Sequence, residues 1–126
     1  MPDWEIYYYR NQKGVEPVKE FINKHRVKDQ VKLFDWISRL EALGPNAARP
    51  LVDYLGDDIY ELRVKLSDAE SRVLYFYMFQ NCIILTNAWD KKGSAKSRTE
   101  YKKHIEKAKS CKLDYDERVK NKGDLL

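Results

Sequence analysis

Five cations in the middle of the chain fall at spacings that could serve one chemistry. Arg63 and Lys65 alternate with apolar residues in the run from Ile59 to Leu66, so they share one side of an extended strand. Arg72 opens the next apolar run across a short polar turn, and Lys91 and Lys92 follow the run from Cys82 to Trp89. If these runs are adjacent strands, the cations converge on one concave face. Such a cluster can neutralise a phosphate and stabilise the extra charge of a phosphoryl transition state. RNA carries its own nucleophile, the 2′-OH, so metal-free cleavage needs only proton transfer and charge stabilisation. A lysine serving as base needs a depressed pKa, which neighbouring cations can provide by repulsion. The polar face of an ordinary antiparallel sheet carries the same residue types with no site at all.

Other chemistries lack their residues. There is no Gly-rich phosphate loop, no GxSxG, no HExxH and no CxxC. The carboxylates are scattered, and His25 and His104 are isolated in sequence. His104 falls on an apolar helical stripe and reads as a packed side chain. Cys82 opens an apolar run and reads as core, whereas Cys111 lies among lysines and reads as exposed. Neither has a partner at metal-ligand spacing, so no metal, cofactor or disulfide is expected. No apolar run approaches the ~18 residues that cross a bilayer. The start of the chain lacks a signal-peptide pattern. A cytoplasmic protein with no membrane partner is the expectation.

The charge is uneven. Residues 91–112 hold nine Lys or Arg against two Glu, a local net of +7, which leaves −3 for the rest of a chain whose total is +4. A basic stripe of this kind attracts polyanions, nucleic acid foremost, although a solvated lysine-rich helix has the same composition.

The elements that must position the cations are legible in outline. Residues 4–9 are aromatic and β-branched and suit a strand. Pro17 suits the first turn of a helix, with Val18, Phe21, Ile22 and His25 at helical spacing. Leu33, Trp36, Ile37, Leu40 and Leu43 give a second helix, over 28–43, one apolar face, and Gly44-Pro45 stops it. Residues 46–58 read as a loop. Three strands follow, 59–66, 72–79 and 82–89, joined by turns at 67–71 and at Gln80-Asn81. The first is half-exposed, with Glu61, Arg63 and Lys65 outward; the second is central. Ser97 to Glu100 fits a capping box for a last helix, whose stripe is Tyr101, His104, Ile105 and Ala108. Beyond Tyr115 the chain is polar and is expected to fray. Clustered strands with flanking helices predict an α+β fold.

Several of these segments resemble a known family. Residues 59–66, Ile-Tyr-Glu-Leu-Arg-Val-Lys-Leu, resemble the W/Y-E-L-R strand of HigB-like, phage-derived toxins in the RelE/ParE superfamily. Residues 71–76, Ser-Arg-Val-Leu-Tyr-Phe, resemble that family's Y-R-V-L-Y-F strand. Residues 89–92, Trp-Asp-Lys-Lys, resemble its F-x-K-K segment, and residues 105–108 and 113–115 its closing I-E-x-A helix and D-Y tail. The resemblance covers residues 3–118 as one domain and leaves 119–126 as a polar tail.

The resemblance implies a compact antiparallel sheet with two N-terminal helices and a C-terminal helix. It implies a type II toxin held inactive by a cognate antitoxin of the helix-turn-helix kind. In the RelE and HigB branches the toxin enters the ribosomal A site and cleaves mRNA. By resemblance, Arg72 stabilises the scissile phosphate, and Lys65, Lys91 and Lys92 serve the cleavage site. Arg63, Lys96, Arg98 and Tyr101 contact the RNA. Tyr101 also lies on the apolar stripe, which favours a packed side chain. Arg72→Ala is expected to abolish cleavage and leave the fold intact. Two other functions use the same fold: a ParE-like inhibitor of DNA gyrase, and a non-catalytic module that binds nucleic acid or antitoxin.

Overall fold

The period-two runs pair into one five-stranded sheet, and the computed structural model describes residues 3–79, 81–91 and 98–122, with the side chains of 121 and 122 excepted. The chain runs β1 (Glu5–Tyr8), α1 (Pro17–Asn23), α2 (Val27–Leu43), β2 (Val52–Gly56), β3 (Ile59–Lys65), β4 (Glu70–Met78), β5 (Cys82–Lys91) and α3 (Arg98–Lys122). Across the sheet the order is β1-β5-β4-β3-β2, so β4 is central, as its nearly continuous apolar sequence implies. The α+β architecture is the one expected.

Strands β2 to β5 form an antiparallel meander, while β1 pairs with β5 in parallel. A tight turn forces antiparallel pairing. β1 is joined to the meander through α1 and α2, and that connection leaves its direction free.

Helices cover both faces. On one, Val18 and Ile22 of α1 and Leu33, Ile37 and Leu40 of α2 pack against Leu62, Val64, Val73, Tyr75, Ile83 and Leu85. Truncating a fully buried leucine such as Leu33 or Leu40 costs about 3 kcal/mol in such a core. On the other face, Ala108, Cys111 and Tyr115 of α3 pack against Ile59, Leu74, Phe76 and Ile84. Among the described residues no helix is long and apolar enough to cross a membrane.

Five local expectations change. The segment expected as a loop holds β2, a short edge strand. Its hairpin to β3 turns on Asp57 and Asp58, both at positive φ (53° and 65°), the geometry of a type I′ turn. The turn before β4 is shorter than expected, because Glu70 and Ser71 already pair with Lys65 and Val64. Cys111 is buried, since Ala108, Cys111 and Tyr115 extend the stripe that begins at Tyr101; both cysteines are free thiols. Helix α3 does not fray at Tyr115 but continues to Lys122. Tyr9 donates to Asp114 (2.6 Å), and Arg118 bridges Asp114 (2.8 Å) and the carbonyl of Arg10, which ties this turn to the end of β1. Leu43, at the end of α2, is exposed. Gln80 and Ser97, the expected cap of the last helix, lie outside the described residues.

Candidate nucleic-acid interface

Along β3, Glu61, Arg63 and Lys65 alternate with the core residues Leu62 and Val64 and so face the α3 side of the sheet. Register sets Arg63 beside Arg72 and Lys65 beside Glu70, then Arg72 beside Trp89 and Glu70 beside Lys91. Three strands thus lay Lys65, Glu70 and Lys91 in one row, with Arg63, Arg72 and Trp89 in the row behind.

β5 reaches this phase only through a bulge. Ile83 and Leu85 pack with α1 and α2, and strict alternation would send Trp89 and Lys91 the same way. Between Leu85 and Asn87 the ladder slips, leaving Thr86 unpaired, and Trp89 packs on the α3 side instead. The Thr86 hydroxyl lies 3.2 Å from the Leu74 carbonyl and 2.7 Å from Asn87 Oδ1, and Asn87 donates to the His104 carbonyl of α3 (3.2 Å).

The result is an open groove of about 760 Å³, whose walls include Trp36, Leu51, Arg63, Lys65, Glu70, Arg72 and Lys91. Arg72 sits at its floor, 3% exposed. Its Nε donates to the Tyr101 hydroxyl (2.9 Å), Nη1 to the Ser71 carbonyl (3.1 Å) and Nη2 to Glu70 Oε1 (2.9 Å). Glu61, 2% exposed, lies 3.4 Å from Arg72 Nε, accepts from Tyr101 (3.0 Å), and has Arg63 Nε at 3.3 Å without hydrogen-bond alignment. Burial lowers the Arg72 pKa, but the bonds to Glu70 and Tyr101 outweigh it and raise the value, so the guanidinium stays charged. Burial raises the Tyr101 pKa, which keeps its proton available to Glu61.

Trp89 meets Tyr101 edge-on at 5.3 Å and stacks on His104 at 4.0 Å. Burial lowers the His104 pKa, consistent with the packed histidine expected from its stripe. Tyr101 is half-buried in the stripe, as a packed side chain would be, and its hydroxyl is hydrogen-bonded to Arg72 and Glu61 within the charged network.

The groove therefore gathers Arg63, Lys65, Arg72 and Lys91, and α3 adds Tyr101. Arg98 is exposed at the first residue of α3, and none of the hydrogen bonds or ion pairs among the described residues ties it to the groove. Lys92 and Lys96 lie outside the described residues. Among the described residues no group of three or more His, Cys, Asp or Glu side chains is placed to hold a metal ion.

Sequence reasoning missed the carboxylates. Glu61 was legible as a member of the outward face, but its burial under α3 was not. Glu70 was hidden in a segment that reads as a turn. It also missed a brace on the opposite face of the same strand ends. His25 Nε2 lies 2.9 Å from Asp90 Oδ2, its Nδ1 lies 2.8 Å from the Phe21 carbonyl, and Ser71 donates to Asp90 Oδ1 (2.6 Å). Each sequence neighbour of this brace, Arg72 after Ser71 and Lys91 after Asp90, points into the groove.

No curated protein matches the chain. The model of the phage-derived Gp49-like family (DUF891) matches residues 20–112, from α1 through most of α3. That span includes every strand of the groove, and the chain belongs to this Gp49-like family, within the RelE/ParE-like toxin superfamily, which fits a toxin with an antitoxin partner in general.

Proposed function

We propose that the protein is the toxin of a type II toxin–antitoxin pair and acts as a metal-independent, ribosome-dependent endoribonuclease on mRNA in the cytoplasm. The observation that supports this most is the register of β3, β4 and β5, which gathers four cations in one groove. In this reading the 2′-OH attacks the adjacent phosphorus, and the P–O5′ bond breaks to leave a 2′,3′-cyclic phosphate. The 2′ proton goes to a base and the departing 5′ oxygen takes one from an acid. Arg72 carries the phosphate charge of the transition state, and Lys65 and Lys91, with Lys92, assist the proton transfers. Arg63, Lys96 and Arg98 contact the RNA backbone, and Tyr101 orients Arg72. Ribosomal RNA supplies most of the binding surface, and the antitoxin is a helix-turn-helix protein.

The full set of partners around Arg72 favours a second reading, in which the network is structural and the protein only binds. That reading covers a ParE-like gyrase inhibitor and a nucleic-acid or antitoxin-binding module.

A reconstituted translation reaction with mRNA ends mapped by primer extension separates the two. The expected result is cleavage that needs the ribosome and falls at least tenfold in Lys65→Ala and Lys91→Ala, which leave the core untouched. Arg72 is tested as Arg72→Lys, which keeps a charge opposite Glu61. Cuts on naked mRNA remove the ribosome from the mechanism. A folded protein that makes no cuts but blocks gyrase supercoiling replaces the nuclease reading altogether.

A further inference from the structure

The anions that meet Arg72 in this structure are two carboxylates of the chain itself, Glu61 and Glu70. Of the four groups that meet the guanidinium, three are locked in place. The Ser71 carbonyl belongs to a central strand, Glu61 is 2% exposed, and Tyr101 is held by α3. Glu70 differs: its side chain is 58% exposed, and it stands at the first residue of β4, after the turn. It can leave without opening the core.

Its surroundings are those of an anion site. Lys65 and Lys91 are its cross-strand neighbours on either side, and Arg63 is the neighbour of Arg72 in the row behind. The bond from Arg72 and its positive charge hold the Glu70 carboxyl below its usual range, with Lys91 and Arg63 adding to the effect. A carboxylate so held is a poor base and an effective competitor for anions. An anionic oxygen of a phosphodiester can accept from the same Nη2 that Glu70 Oε1 now occupies.

We propose that the Glu70 carboxylate occupies a phosphodiester subsite in the groove, and that an RNA phosphate enters by displacing it onto solvent. Four cations then face the phosphate, and one carboxylate fewer opposes it. The inference rests on the groove being an RNA site but concerns binding rather than cleavage. Glu70 acts as a gate that lowers affinity for short or weakly charged anions.

The test is fluorescence anisotropy with a short single-stranded RNA whose 2′ positions are methylated, so that it cannot be cut. Glu70→Gln keeps an acceptor for Arg72 and removes the charge. Asp68→Asn makes the same charge change on the adjacent turn, where Asp68 is 89% exposed and pairs with Arg26 outside the groove. The expected result is a Kd roughly fivefold or more tighter for Glu70→Gln, and less than about twofold tighter for Asp68→Asn. Adding Lys91→Ala to Glu70→Gln should reverse most of the gain. Binding by Glu70→Gln that equals the wild type, or an equal gain in Asp68→Asn, overturns the proposal. Tightened binding by a protein that never cleaves mRNA sustains the gate and removes the nuclease. Cleavage without any tightening removes the gate alone.

Discussion

Arg72→Ala is expected to unfold the protein partly as well as silence it, against the simpler expectation from sequence. The substitution removes the guanidinium that Glu61 meets at 3.4 Å while Glu61 stays 2% exposed under α3. Breaking a buried pair from one side costs about 3–5 kcal/mol, because the other charge is left without its partner. Glu61 keeps the Tyr101 hydroxyl at 3.0 Å and Arg63 at 3.3 Å, so the lower end, about 3 kcal/mol, applies. That is a large part of the roughly 5–15 kcal/mol that holds a domain together. For a chain of this length it lowers Tm by about 10 °C. The assay is urea and thermal unfolding of the wild type, Arg72→Ala, Glu61→Gln and the double variant. The double variant should be less destabilised than the sum of the singles by about 1–2 kcal/mol, since its remaining partner no longer carries a buried charge. A Tm for Arg72→Ala within about 2 °C of wild type would refute the reasoning. In that case loss of cleavage in the same variant could be read as chemistry alone.

Other outcomes follow from single features. Gly44 has φ 54°, and a Cβ there would meet the Trp4 ring at 2.6 Å, so Gly44→Ala should destabilise by roughly 1–3 kcal/mol in urea unfolding. Asp58, at φ 65° in the β2–β3 turn, should gain about 0.5–1 kcal/mol on replacement by Gly, seen as a higher Tm. Asp114, bonded first by Tyr9, is held below its ordinary 3.8; Asp29 is too, where the Ser67 and Arg26 bonds outweigh the upward push of burial. Depressed carboxylates stabilise the fold above their unfolded pKa and lose that contribution as pH falls through the folded value. The urea midpoint should therefore drop below about pH 4, and Asp114→Asn, weaker at pH 7, should converge on wild type as pH falls through the lowered folded value of Asp114. Burial pushes the Cys111 thiol up to about 11 and raises Cys82 as well, so neither should be alkylated at pH 8 until the chain is unfolded.

The elements that carry the groove were legible because each obeys one period over enough residues. Leu33, Ile37 and Leu40 mark α2, and Leu62 and Val64 mark β3, whichever partner they later meet. β2 escaped because five residues at a sheet edge are too few for a period, and because its strand character depends on a turn made by two aspartates at positive φ. Cys111 escaped because its neighbours in sequence are lysines, while its neighbours on the helix face are Ala108 and Tyr115. Local composition and helical phase gave opposite answers there, and phase prevailed.

The bulge at Thr86 was the least legible feature, and it decides the site. Sequence alternation through β5 groups Trp89 and Lys91 with Ile83 and Leu85, on the face that α1 and α2 bury. One unpaired residue reverses that grouping and delivers Lys91 to Glu70 and Trp89 to Arg72. The same reversal turns Asp90 toward His25 and Ser71. A single irregularity thus sorts alternate residues of β5 into two sets: one clamps α1 to the strand ends, and the other lines the groove. The clamp holds the backbone on which Arg72 and Lys91 stand, so the cations are brought together by a partly buried device on the far side of the sheet. Their mutual repulsion is offset by Glu61 beneath and Glu70 in front. Of these two carboxylates only Glu70 is exposed, so in the exchange proposed above it is the one that an outside anion displaces.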